Sequence, residues 1–176
     1  MAKQIKYLLN KFLSRFHNNS DERMCIFFRK NGIIIGKNCH IYSNIVTPEP
    51  FLITIGNNVT ISSDVIMITH DNSIIKVDSS LPNLFGEIKI GDNCFIGERV
   101  TILYGVNICN NVIVAAGSVV CNSFNEERII IGGNPAKKIG TWDSFLEKNK
   151  SFGISRKNCK ETLKNNPEKL VKRKNV

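Results

Sequence analysis

Three features of the sequence predict an all-β solenoid, a parallel β-helix with short helical segments at its two ends. The first is a rhythm. From Ile90 the chain reads in sixes: IGDNCF, IGERVT, ILYGVN, ICNNVI and VAAGSV. Each block opens on an aliphatic residue (Ile90, Ile96, Ile102, Ile108, Val114), and four positions later stands a small or β-branched one (Cys94, Val100, Val106, Val112, Ser118). Helices repeat every 3.6 residues and simple strands every 2, so a sustained period of six is neither. It marks one short strand plus one turn, with three sixes to a coil. The second feature is that the rhythm recurs upstream. The third is that Gly-Asp-Asn, Gly-Lys-Asn, Gly-Asn-Asn and Asn110-Asn111 fall at the corners, where left-handed backbone is tolerated by Gly and Asn.

At the N-terminus, QIKYLLNKFLSRF (4–16) spaces Ile5, Leu8, Leu9, Phe12, Leu13 and Phe16 as an apolar helical stripe, with Lys6, Lys11 and Arg15 on other faces. Residues 1–31 are expected to form a helical cap, the stripe packing on the first coil, because a solenoid needs its ends covered. An amphipathic membrane anchor is the alternative. Ser20 or Asp21 is placed to start a second helix running through Arg29.

From Ile33 the rhythm begins, as IGKNCH and IYSNIV, and is interrupted by TPEPFLIT (47–54). It resumes as IGNNVT and ISSDVI from Ile55 and reaches His70–Asp71. Between residues 71 and 87 the sixes vanish, which predicts an inter-coil loop long enough to suspect function. The β-helix is thus expected over residues 32–140, with Ile129–Gly132 as a last strand. Residues 141–176 are expected to give a short helix, with Trp142, Phe145 and Leu146 facing inward, and a basic tail.

The 176 residues suit a single core, and the net charge of +9 is unevenly placed. Residues 1–30 carry +5 and residues 156–176 carry +6, so the middle is −2. A basic nucleic-acid-binding body is not supported. The basic ends are read as solvated, with weak attraction to an anionic membrane surface as a second reading. No stretch approaches the roughly 20 apolar residues of a membrane span, and no signal region opens the chain, so a cytoplasmic location is expected. The six cysteines include no CxxC pair. Cys39 and Cys94 fall at inward positions, where a thiol serves as a compact hydrophobe.

The hexads, a lone His70 before the loop, and the ending IGGNPAKKIG together resemble the hexapeptide-repeat acyltransferase superfamily, within it the sugar and polysaccharide O-acetyltransferases. The resemblance covers about residues 33–140. It implies a left-handed helix, a homotrimer with active sites between subunits, and acetyl-CoA as donor, with no metal. It also implies that His70 is the general base that accepts the acceptor's proton in a ternary complex, a role histidine suits as a residue type. Asp71 has two readings: it orients His70 or touches the acceptor, or it caps the loop.

For CoA, the resemblance implies Ala115, Ala116, Gly117 and Ser118 along the pantetheine. The pair that follows, usually Thr-Lys in the family, is Cys121 and Asn122 here, which removes one phosphate-facing charge. Lys137 and Lys138 match basic positions that meet the nucleotide phosphates. Phe95 replaces a frequent Trp, Tyr104 replaces a proline, and Glu98 stands where a small residue is usual. Tyr42 and Asn44, on the coil before His70, are candidates for sugar hydroxyls.

Several activities compete. The first is O-acetylation of a sugar in a capsule or lipopolysaccharide-type glycan or its precursor. Others are N-acetylation of a nucleotide-linked amino sugar, serine acetylation, and a non-catalytic scaffold. A zinc hydratase of γ-carbonic-anhydrase type needs three imidazoles about one metal. The three histidines, His17, His40 and His70, include no closely spaced pair.

Overall fold

A computed structural model of the chain describes residues 2–14, 16 and 20–172. Arg15, His17 and the end of the basic tail, residues 173–176, lie outside them. The fold divides into two units, residues 1–139 and 140–176.

The first unit is built of short parallel strands stacked in three columns. Ile34–Ile35, Ile53–Ile55, Ile88–Ile90 and Asn107–Ile108 make the first. His40–Ile41, Thr60–Ile61, Phe95–Ile96, Ile113–Val114, Ile129–Gly132 and, at its end, Lys137–Thr141 make the second, and Ile66–Met67, Thr101–Ile102 and Val119–Val120 the third. The chain visits the columns in that order, one circuit per coil. Between the third and fourth coils, paired residues are 18 apart (Lys89 with Asn107, Phe95 with Ile113, Thr101 with Val119), which is three sixes. Between the first and second the step is 20 (Ile34 with Thr54, His40 with Thr60), so the interruption at 47–54 adds only two residues. Between the second and third it is 35 (Thr60 with Phe95, Ile66 with Thr101), which exceeds 18 by the 17 residues of 71–87.

The core is the inside of these coils. The residues that open each six and those four positions later are buried together, Ile61, Ile96, Val100, Ile102, Ile108, Val112 and Val114 completely. Burial pushes the Cys25 thiol up to about 12 and the Cys94 thiol to about 11, so both stay protonated and act as apolar filling.

The edge between the first and second columns carries a ladder of asparagines. Asn58, Asn93 and Asn111 all hold left-handed φ near 57°, and the Asn58 amide donates to Asn93 Oδ1 at 2.7 Å. The Asn93 amide donates to Asn111 Oδ1 at 2.7 Å, and Asn111 in turn to Glu127 at 2.7 Å. Asn93→Ala is therefore expected to cost about 1–2 kcal/mol in chemical denaturation, from left-handed strain and lost rungs. Asn93→Gly should recover the backbone share.

Helix α1 spans Ala2–Ser14 and α2 spans Ser20–Lys30. It is α2 that packs on the first coil, burying Met24, Cys25 and Phe28, while its Arg29 guanidinium donates to the Ile35 and Gly36 carbonyls. The apolar stripe of α1 does not pack inward. Tyr7, on the opposite side of the helix, is buried against Phe27 and Phe28, and the stripe from Ile5 to Phe16 faces out. In the second unit, helix Trp142–Asn149 starts with reciprocal Thr141–Ser144 bonds at 3.2 Å, and Phe145 and Leu146 are exposed rather than turned inward. A second helix follows at Cys159–Asn165.

Candidate active site

Strand alternation sets the direction of His70. Val65, Met67 and Thr69 point into the coil, so Ile66, Ile68 and His70 point out. One coil earlier, Ile45 and Thr47 are buried in the same way, and the two extra residues of this coil let Glu49 reach His70. The Glu49 carboxylate accepts from Thr69 Oγ1 at 2.7 Å and from His70 Nδ1 at 2.9 Å. Thr47 Oγ1 lies 2.6 Å from Thr69 Oγ1. Because the Thr69 hydroxyl donates to Glu49, the Thr47 hydroxyl is left to donate to Thr69, and its oxygen accepts the Glu49 N–H at 3.2 Å.

The Glu49 side chain is 17 % exposed and that of His70 34 %. The Thr69 hydroxyl, then the His70 imidazole, hold the Glu49 carboxyl below the ordinary carboxylate range. The contacts stabilise the ionised form, so their contribution is present above that range and is lost as pH falls below it. A carboxylate only accepts, so Nδ1 of the neutral ring carries the proton and Nε2 the lone pair. That lone pair belongs to the nitrogen away from Glu49, as a proton acceptor requires.

The loop between residues 71 and 87 is closed at its root. His70–Asp71 pairs antiparallel with Leu84–Phe85, the Gly86 N–H donates to the Thr69 carbonyl, and the Phe85 ring lies 5.7 Å from the imidazole. Asp71 does not hold His70. Its Oδ1 accepts the Ser73 N–H at 2.7 Å and its Oδ2 faces the Tyr104 hydroxyl at 3.4 Å, so it caps the loop. The orienting place is taken by Glu49, which the sequence reading passed over. A signal for it existed: Glu49 is the one carboxylate in the interruption TPEPFLIT, directly upstream of the coil that ends at His70.

The other candidates divide between two edges. The edge between the third and first columns carries Glu49, His70, Tyr104 and Asn122 on four successive coils, following the pairing of Ile66 with Thr101 and Thr101 with Val119. Cys121 and Asn122 are exposed there. Tyr42 and Asn44 lie on the edge between the second and third columns, as do Ala115, Ala116 and Gly117, so a single chain does not bring them to His70. Ser118 is 1 % exposed, and its hydroxyl donates to the Ala115 carbonyl at 2.6 Å and accepts the Gly133 N–H at 3.2 Å. Its side chain closes the coil from inside. Lys137 and Lys138 are both exposed, and Lys138 is paired with Glu126 at 2.5 Å. Among the described residues no three His, Cys, Asp or Glu side chains converge as a metal site.

Residues 87–121 match the family model described as the hexapeptide repeat of succinyl-transferase. The chain resembles the solved maltose O-acetyltransferase of Clostridium difficile 630 with a TM-score of 0.54 at 25% identity, over 80% of this chain and 88% of that one. It is 36% identical over 97 residues to the putative lipopolysaccharide biosynthesis O-acetyl transferase WbbJ of Escherichia coli (strain K12), 49% of each chain. Protein CapG of Staphylococcus aureus is 41% identical over 149 residues, 82% of this chain and 83% of CapG. The chain belongs to the hexapeptide-repeat acetyltransferase family. It is an acyltransferase, and its Thr47–Thr69–Glu49–His70 cluster runs from buried hydroxyls inside the coil to an imidazole on its outer surface. No described helix of this acetyltransferase is long and apolar enough to cross a membrane.

Proposed function

We propose that this acetyltransferase moves an acetyl group from acetyl-CoA to a sugar hydroxyl of a capsule or lipopolysaccharide-type glycan, or of its precursor. The observation that carries the proposal is His70, fixed by Glu49 with Nε2 turned outward at the root of the loop. His70 Nε2 accepts the proton of the acceptor hydroxyl as its oxygen attacks the thioester carbonyl. The tetrahedral intermediate expels the CoA thiolate, which takes the proton back from His70, leaving an acetyl ester and free CoA. Glu49 stabilises the transient imidazolium. The sugar class rests on the similarity to WbbJ and to the maltose enzyme.

In this reading the coil, residues 32–140, is left-handed, with α2 closing its N-terminal end, α1 resting on α2, and residues 141–176 appended. The protein works in the cytoplasm as a homotrimer, with sites between subunits. The trimer gives the second edge a purpose, since Tyr42, Asn44 and Ala115–Gly117 then face the His70 edge of a neighbouring subunit. Ala115, Ala116 and Gly117 present little side chain to the pantetheine, Cys121 and Asn122 follow them along the CoA arm without the usual phosphate-facing lysine, and Lys137 and Lys138 meet the phosphates. Asp71, tied into the loop, lies at the acceptor's entrance.

The test is a panel of mono- and oligosaccharides incubated with acetyl-CoA, followed by free thiol and by product mass. The expected outcome is acceptor-dependent thiol release and a product heavier by one acetyl group, cleaved by mild alkali. An alkali-stable amide would instead assign N-acetylation, and no thiol release with any sugar would sink the proposal.

A further inference from the structure

The face of α1 left uncovered is a binding surface, and we infer that it docks the protein on an anionic phospholipid membrane. The inference goes beyond the proposed acetyl transfer and does not depend on it. At 3.6 residues per turn, Ile5, Leu8, Leu9 and Phe12 share one face of α1, and Tyr7 lies across the helix from it. Tyr7 is the residue that is buried, so the helix is attached by its back and presents its apolar stripe to the outside. Ile5 is 59% exposed and Phe12 55%. A soluble surface rarely strings such residues together on one helix face.

Charge selects the occupant. Helix α1 has no acidic residue, and Lys6 and Lys11 flank the stripe on either side. Lys6 also lines a groove between α1 and α2 with Arg23 and Lys30, beside Ile26. The Arg23 Nε is buried there without a hydrogen-bond partner among the described residues. The acids of α2 are occupied elsewhere, Glu22 with Arg29 and Asp21 with His40, both at 2.7 Å. An apolar strip bordered by cationic groups, with Lys6, Arg23 and Lys30 lining the adjoining groove, matches acyl chains lying beside phosphate headgroups. A second copy of the chain would meet the same lysines with its own, so repulsion opposes that occupant.

The experiment sediments full-length protein with vesicles of phosphatidylglycerol mixed into phosphatidylcholine, and with vesicles of phosphatidylcholine alone, at low and high salt. The protein should pellet with the anionic vesicles at low salt and stay in solution with the neutral ones. Leu8→Asp/Phe12→Asp and, separately, Lys6→Glu/Lys30→Glu should each weaken binding about tenfold or more, with native mass and melting temperature unchanged. Equal partition to both vesicle types, or binding that survives both double variants, overturns the inference. So does a lower native mass of the Leu8→Asp/Phe12→Asp protein, which would show the stripe to be buried between copies.

Discussion

His70→Ala is expected to lower acetyl transfer by about 10²–10⁴-fold, the usual contribution of a positioned general base. Thiol release from acetyl-CoA would show this in kcat, with KM for acetyl-CoA little changed because the imidazole acts on the acceptor's proton. The fold should survive, since the side chain is one-third exposed and Glu49 keeps its bond to Thr69. Circular dichroism and native mass check that point. Wild-type turnover by this variant would remove the central residue of the proposed mechanism.

Glu49 gives the sharper companion result. Glu49→Ala removes the anchor of the ring but leaves Nε2 free to be basic, and a loss of about tenfold or more is expected. Glu49→Gln puts an amide opposite Nδ1. Where its NH₂ group faces the ring, Nδ1 becomes the acceptor and the proton moves to Nε2, the nitrogen that has to receive one. The isosteric change should therefore be at least as harmful as truncation. A side chain with a merely structural role would give the opposite order.

Ile96→Ala should be among the most damaging changes to stability in the coil, about 2–5 kcal/mol in urea unfolding. Ile96 is fully buried and stacks between Ile61 on one coil and Val114 on the next. Its truncation leaves a void against two interfaces at once, and a stacked fold holds together through nearest-neighbour interfaces. Against the 5–15 kcal/mol typical of folded domains, that is a large share.

The coil was legible because its code is local. Each six contributes its own inward pair, and Ile90 to Val114 needed no knowledge of distant partners. Glu49 was not legible in the same way, since its meaning lies in a contact across 21 residues, created by a two-residue lengthening of one coil. The stripe of α1 shows a different limit. Periodicity says that one helix face is apolar, but whether it points in or out is decided by Tyr7, a single aromatic on the other face. Ser118 reads as a ligand contact from its motif, yet it stands at an inward position of its six and its hydroxyl is spent on the coil. Asp71 looked equally able to serve His70 or the loop; the Ser73 amide two residues on claimed it.

The 35-residue step between the second and third coils implies something about how such an enzyme changes. The 17 residues between His70 and Ile88 leave and rejoin the stack without disturbing the pairing of Ile66 with Thr101 or of Thr60 with Phe95. Doubling the length of such an excursion costs only about 0.6 kcal/mol of closure entropy. The segment is therefore a replaceable cartridge clipped to a ruler. Under the proposed function, one acceptor would be traded for another by exchanging that cartridge, while His70 and the stack that aligns it stay as they are.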